Sequence, residues 1–361
     1  MIRTLTAAAL LSSTPALAQN TDDLARSLVE AGSPGAVVML GEGDLTTVSV
    51  AGVRAMGSDA AIEPDDVWHL GSNTKAMTSV VVARLVEAGE IRWEDTVADH
   101  LGDRFDDIRP AFADANFVDL LSHRSGLPAN AGMMTLLSLM GADSARDASA
   151  DRFAYARSVL SGNPAGEAGD FLYSNSGYIV VGAMLEAATG DSWETLITRE
   201  VFEPLGMDSA GFGPPGTPGE IDQPRGHRAG LFGGLNAMEP GNGQSDNPPA
   251  LGPAGRVHVS LDDYAKFLRM VIGGANGTDD EYLSEDSWLR LLTPIGDNYA
   301  LGWGVQGDNT LLHAGSNTMW LVQTVVWPED NRFVVVGVNE ARMGRIQPPI
   351  GRVIQALSPE G

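Results

Sequence analysis

Ser72 and Lys75 stand three residues apart in Leu70-Gly71-Ser72-Asn73-Thr74-Lys75-Ala76-Met77-Thr78, at the head of a run whose spacing predicts a helix. Met77, Val80, Val81, Arg84, Leu85 and Ala88 recur at i, i+3, i+4, and Gly89 supplies the stop. Residues three apart share a helix face, so the Lys75 amine can reach the Ser72 hydroxyl. A serine hydroxyl is a weak nucleophile until a neighbour takes up or stabilises its proton. At a helix start, free backbone N–H groups and the dipole also favour developing negative charge.

Two further stretches carry chemistry of the same kind. Tyr173 and Asn175, in Phe171-Leu172-Tyr173-Ser174-Asn175-Ser176-Gly177-Tyr178, lie just before a helical run. A lysine ammonium favours the anion of a nearby phenol, so Tyr173 is expected as a general base, with the Asn175 amide orienting a substrate carbonyl. His313, Gly315 and Ser316 close a strand candidate. Gly315 would let a substrate backbone lie against that strand, and the N–H of Ser316 with that of Ser72 would form an oxyanion hole. Each stretch alone has a plain structural reading: a capping serine with a surface lysine, an asparagine cap beside a packed tyrosine, a strand ending in a turn.

The elements that must position these groups follow from periodicity. Leu24, Leu28 and Ala31 mark a first helix ended by Gly32, and Ala36 to Leu40 with Leu45 to Ala51 read as a β-hairpin. Asp95 to Asp107 reads as an acidic loop, Phe117 to Leu121 as an apolar run, and Ser122-His123-Arg124-Ser125-Gly126-Leu127-Pro128 as a loop. Helices are predicted at 153–160, 178–188, 193–201 and 261–272. The segment 211–255, dense in Gly and Pro, is either a functional rim or a flexible insertion. Thr310 to His313, Met319 to Trp327 and Phe333 to Asn339 read as strands, and Ile350 to Leu357 as a closing helix preceded by Pro348 and Pro349. Strands at both ends with helices between predict an α+β fold. Its antiparallel sheet is built from both chain ends (about 19–70 and 300–361), with a mostly helical lobe over about 71–299.

Composition narrows the function. The 361 residues are 43% hydrophobic and carry a formal charge of −24, so a phosphate- or nucleic-acid-binding surface is not expected. There are no cysteines, and the six histidines are scattered with no His-Glu-x-x-His, so neither a metal nor another cofactor is expected. Residues 1–18 read as a secretory signal: Arg3, an apolar run from Leu5 to Leu11, and Ala16-Leu17-Ala18 before a mature terminus at Gln19. That leaves 19–361 as one catalytic domain with no membrane span, periplasmic or secreted.

Taken together and in this order, the motifs resemble the serine β-lactamase and DD-peptidase superfamily, in particular its class C β-lactamase-related branch of esterases and D-amino peptidases. Trp68 to Lys75 is similar to that family's nucleophile segment, Leu120 to Pro128 to its LLTHTSGLP stretch, and Val201 to Met207 to its IFEPLGM stretch. Tyr299 to Gly304 is similar to the segment before its third motif. The resemblance implies an acyl-enzyme on Ser72, with Lys75 and Tyr173 moving protons and Asn175, His313, Gly315 and Ser316 holding the substrate. His313 stands where β-lactamases carry a lysine, and a histidine is mostly neutral above a pKa of about 6.5. Arg256, Arg228 and Arg124 are the other candidates for charge near a substrate carboxylate. The expected substrate is a small ester, amide or D-amino acid peptide, with β-lactamase or DD-carboxypeptidase action as the alternative and a non-catalytic penicillin or peptidoglycan sensor as a third. A Ser245-Asp246-Asn247 tripeptide also occurs and reads as a chance match, because Tyr173 already fills the second-motif place. No Gly-x-Ser-x-Gly elbow is present, which argues against an α/β-hydrolase.

Overall fold

The computed structural model describes residues 14–140, 146–230, 233–278, 281–296, 298–307 and 309–359. Residues 1–13, which hold most of the expected signal, lie outside it; helix α1, Thr14–Glu30, runs through Ala16-Leu17-Ala18. Eleven strands follow in chain order among the described residues: β1 Gly35–Glu42, β2 Leu45–Gly52, β3 Val67–His69, β4 Gly211–Phe212, β5 His227–Ala229, β6 Leu235–Ala237, β7 Val257–Ser260, β8 Gly304–Gln306, β9 Thr310–Ser316, β10 Leu321–Trp327 and β11 Arg332–Val338. Six of them form one antiparallel sheet in the order β2-β1-β11-β10-β9-β8, so the two chain ends meet at β1 and β11 as expected. The smaller sheets are β3-β7-β4 and β5-β6.

Period-two alternation divides the large sheet between two cores. Val37, Met39, Phe333 and Val335 face inward onto Trp68 and the helical layer. Ala36, Val38, Leu40, Val334, Val336 and Val338 face outward onto Ala25 and Leu28 of α1 and Ile346, Ile350 and Val353 of the last helix. Covering both faces explains why β1 and β11 read as nearly unbroken apolar runs.

Helix α2, Thr74–Glu87, passes through the middle of the inner core, and every residue from Thr74 to Ala83 is buried. The apolar stripe read from its sequence is therefore only part of its contact surface. Its buried hydroxyls are all used: Thr74 Oγ1 accepts from Val257 N at 3.2 Å, and Thr78 and Ser79 donate to the carbonyls of Pro253 and Lys75 at 2.8 and 3.2 Å.

Several local expectations are corrected. The acidic 95–107 stretch contains a helix, Val97–Leu101, started by a Thr96–Asp99 capping box. Pro348 and Pro349 lie inside the last helix, Met343–Leu357, rather than before it. Trp193–Ile197 continues as a π-helical turn over Thr198–Phe202. The 211–255 segment is no bare loop: it holds β4, β5, β6, a 3-10 turn at Pro249–Leu251 and a short helix at Gly252–Gly255. No helix among the described residues is long and apolar enough to cross a membrane.

Candidate active site

The chain leaves β3 at His69 and enters a 3-10 turn, Gly71–Asn73, that leads directly into α2. Ser72 sits in that turn, one step before the helix proper. Gly71 takes φ +52°, a left-handed conformation, and a Cβ there would overlap the amide of Ser316. Gly315 meets the turn from the other side. A Cβ on it would collide with the carbonyl of Leu70 and come within 2.7 Å of Ser72 N. The gap left by the Gly315 side chain is thus filled by the chain's own Gly71–Ser72 turn, and not by a substrate backbone as the sequence suggested. Its effect is to bring the amides of Ser72 and Ser316 close together.

Lys75 is fully buried, and its amine touches three oxygens: Ser72 Oγ at 3.0 Å, Asn175 Oδ1 at 2.8 Å and the Ala254 carbonyl at 2.6 Å. The rings of Tyr173 and Tyr178 lie 5.1 and 5.4 Å from the same nitrogen. Burial holds Lys75 well below the ordinary lysine range. Burial also pushes the Tyr173 phenol up to about 12, against the opposing effect of its hydrogen bond with Ser72. The expected lysine-stabilised phenolate is therefore not the resting state, because desolvation outweighs the Ser72 hydrogen bond. In this arrangement the amine donates to all three oxygens; deprotonated, it keeps the bonds to Ala254 and Asn175 and has a lone pair for the Ser72 proton.

The remaining sequence candidates fall close by. Asn175 starts the helix Asn175–Thr189; its Oδ1 takes the Lys75 contact while its Nδ2 donates to Asn130 Oδ1 at 2.9 Å. His313, in β9, is buried, with Nδ1 against the Ala314 carbonyl at 3.1 Å and Nε2 against the Tyr299 hydroxyl at 3.2 Å. Burial lowers its pKa to about 3, so it brings no positive charge to the site. The three arginines considered for that role are engaged elsewhere. Arg124 donates to the carbonyls of Ile295 and Gly169, Arg228 to Gln244, and Arg256 to Asp246.

Two cavities open onto this centre. One, of about 210 Å³, is lined by Ser72, Asn130, Asn175, Asn247, Ser316 and Thr318 among others. The other, about 320 Å³, lies beyond Tyr173 and His313, and Phe171, Tyr299, Val305 and Leu312 give it an apolar wall. A larger cavity of about 410 Å³ beside Trp288 and Asn276 contains none of these groups.

Sequence reasoning missed several residues of the site. Asn130 and the Ala254 carbonyl had no motif to mark them. Asn247 and Asp246 had one, and it was set aside: the 211–255 segment folds back so that Asn247 lines the Ser72 cavity and Asp246 lies buried beside it. The tripeptide is part of the site by position, although it is not the second motif.

The sequence profile described as Beta-lactamase matches residues 21–352. The chain belongs to the β-lactamase family. A curated member, "Penicillin-binding protein 4" of Amycolatopsis lactamdurans, is 32% identical over 305 residues, covering 76% of this chain and 73% of its own. Several other curated relatives are longer, and the chain spans 30 to 60% of their length. Among solved structures of the same fold, D-amino acid amidase from Ochrobactrum anthropi SV3, complexed with L-phenylalanine amide, superposes with a TM-score of 0.73 at 19% identity, covering 94% of this chain and 98% of that one. "EstCE1, a hydrolase with promiscuous acyltransferase activity" does so with a TM-score of 0.75 at 16% identity, covering 95% and 99%. The α+β architecture expected of a β-lactamase-family serine hydrolase is thus the one observed.

Proposed function

We propose that this chain is an exported serine hydrolase that cleaves a small ester or amide through an acyl-enzyme on Ser72. The observation that carries the reading is the buried Lys75 amine, held between Ser72 Oγ, Asn175 Oδ1 and the Ala254 carbonyl with its pKa depressed. As Ser72 Oγ attacks the acyl carbon, its proton passes to Lys75 Nζ, and the carbonyl oxygen gains charge facing the amides of Ser72 and Ser316. Collapse of that intermediate expels the alcohol or amine, which takes a proton through the Tyr173 hydroxyl, hydrogen-bonded to Ser72. Water then attacks the acyl group by the reverse set of transfers. Asn175 and Asn130 orient the substrate carbonyl, and the apolar cavity beyond Tyr173 receives an uncharged, apolar part of the substrate.

The choice of substrate follows from charge. With His313 neutral and Arg124, Arg228 and Arg256 engaged, a substrate carboxylate meets less fixed positive charge than in a β-lactamase carrying a lysine at that place. Short-chain esters are expected to turn over faster than cephalosporins by roughly tenfold to a hundredfold in kcat/KM, the equivalent of one charge-assisted contact of ~1.5–3 kcal/mol. Rates for p-nitrophenyl butyrate and nitrocefin on one preparation decide it, and nitrocefin equal to the ester or faster overturns the preference. The 32% identity to a penicillin-binding protein supports the carboxypeptidase or penicillin-binding reading as second choice. Its signature is a fluorescent penicillin label on Ser72 that persists while esters turn over slowly.

Export rests on the 1–18 signal pattern and on the cysteine-free composition, which is compatible with an oxidising compartment. Protein purified from its native host is expected to begin at or near Gln19 by N-terminal mass spectrometry. An intact Met1 on the bulk of the protein removes export from the proposal.

A further inference from the structure

One buried carboxylate outside the proposed proton-transfer groups is held by side chains from both stretches whose amides meet at Ser72 and Ser316. Asp246 is 3% exposed at its side chain and receives four hydrogen bonds. Its Oδ2 accepts from His69 Nε2 at 2.9 Å and Arg256 Nε at 3.0 Å; its Oδ1 accepts from Asn317 Nδ2 at 2.8 Å and Asn247 N at 2.7 Å. Each donor is next to part of the site. His69 Nδ1 accepts from the amide of Gly71, the residue before Ser72, at 3.2 Å. Asn317 follows Ser316. Arg256 follows Gly255, which packs against the Ser72 amide, and Ala254, whose carbonyl holds Lys75. Asn247 lines the Ser72 cavity.

The bond from Gly71 fixes the His69 tautomer. Since Nδ1 accepts, the ring proton sits on Nε2 and is donated to Asp246. A carboxylate is the group that suits this spot, because four donors converge on two oxygens and an acid has no hydrogen to turn toward them once ionised. Burial alone would raise the Asp246 carboxyl; His69, Arg256 and Asn317 outweigh it and hold the group below the ordinary carboxylate range.

We infer that Asp246 is a positioning residue for acylation: through His69 on one side and Asn317 on the other, it sets the spacing of the Ser72 and Ser316 amides that receive the oxyanion. It makes no contact with the reacting atoms. The inference rests on the Ser72 acyl-enzyme reading and deepens it.

Asp246→Asn is isosteric, yet its amide must aim an N–H₂ group at two of the four donors. If it faces His69, the ring is driven toward the Nδ1–H tautomer and meets the Gly71 amide donor to donor. The expected result with p-nitrophenyl butyrate is a fall in kcat of about thirtyfold to three-hundredfold with KM changed less than threefold, somewhat less than the roughly hundredfold to thousandfold cost of removing an oxyanion donor outright. The affinity of a boronic acid, which forms a tetrahedral adduct on the serine, should fall in parallel. Asp246→Glu, which restores the charge but misplaces it, should recover only part of the rate.

His69→Gln is the companion variant for the case in which Asp246→Asn does not fold. It keeps a donor for Asp246 and removes the Gly71 acceptor, so the same loss in kcat and in boronate affinity is expected. Kinetics and boronate binding at the wild-type level in whichever variant folds overturn the inference. So does a loss confined to melting temperature. Long-range ¹⁵N–¹H spectra of the wild-type histidines give a readout independent of catalysis: His69 protonated on Nε2 is expected, and protonation on Nδ1 overturns the network. Fluorophosphonate labelling of the wild type separates the two levels. An unlabelled wild type with the expected tautomer defeats the function reading, whereas a labelled wild type with unimpaired variants defeats the positioning role.

Discussion

Ser72→Ala is expected to abolish hydrolysis of p-nitrophenyl butyrate, by roughly 10⁵-fold or more in kcat, and to remove fluorophosphonate labelling altogether. Nucleophile removal has effects of that size because no second group in the site can form the covalent intermediate. Ser72 is only partly buried and lies in the 3-10 turn before α2, so the change deletes one oxygen and leaves the packing of Gly71 against Ser316 in place. The melting temperature should move by no more than about 2 °C. Wild-type turnover in the variant would falsify the assignment.

Lys75→Arg carries the second large effect. Arginine keeps hydrogen-bond donors but stays protonated in a protein, so it cannot accept a proton from Ser72. A drop of about a thousandfold in kcat/KM is expected, within the usual range for loss of a general base. The pH profile supplies the matching test. A folded-state lysine pKa depressed by burial means that the active, neutral amine is present at high pH and is lost as pH falls through that depressed value. The wild-type rate should level off at a pH well below 10.5 and fall on the acid side of that plateau. A rate that climbs continuously to pH 10 would show an ordinary lysine, and a Lys75→Arg variant that retains more than a tenth of the activity would remove the base from Lys75.

The groups proposed to do chemistry were legible from sequence as a cluster because each sits at an element boundary with a short spacing to its partner. Ser72 and Lys75 share one turn of helix, and Tyr173 and Asn175 share one entry into a helix. The paired sheet ends were legible because β1 and β11 are dense in Val and buried on both faces. What escaped was set by long-range packing. The Lys75 carbonyl partner is supplied by Ala254, 179 residues away, and no side-chain pattern announces a backbone acceptor. The phenolate expectation for Tyr173 failed because sequence shows a neighbouring lysine but not the absence of water around both. Gly315 was recognised as a place of close approach, yet what approaches it is the chain's own turn. Asp246 went unread because its motif was judged by chain order, whereas three of its four donors, His69, Arg256 and Asn317, come from elsewhere in the chain.

The meeting of the two chain ends in one sheet governs when the protein can become active during its own synthesis. Gly35 N donates to Asn339 Oδ1 across 304 residues, and β11 is inserted between β1 and β10. Closing a loop of that length costs about 5 kcal/mol of chain entropy before any pairing is gained. Until the last strand is made, β1 and β2 are an isolated hairpin, which is marginal in water by itself. Ser316 belongs to β9, on the far side of β10, so the second amide beside Ser72 is also a late arrival. A nascent or truncated chain therefore carries Ser72 and Lys75 without the frame that aligns them, and hydrolytic competence comes all at once, with the closing of the sheet.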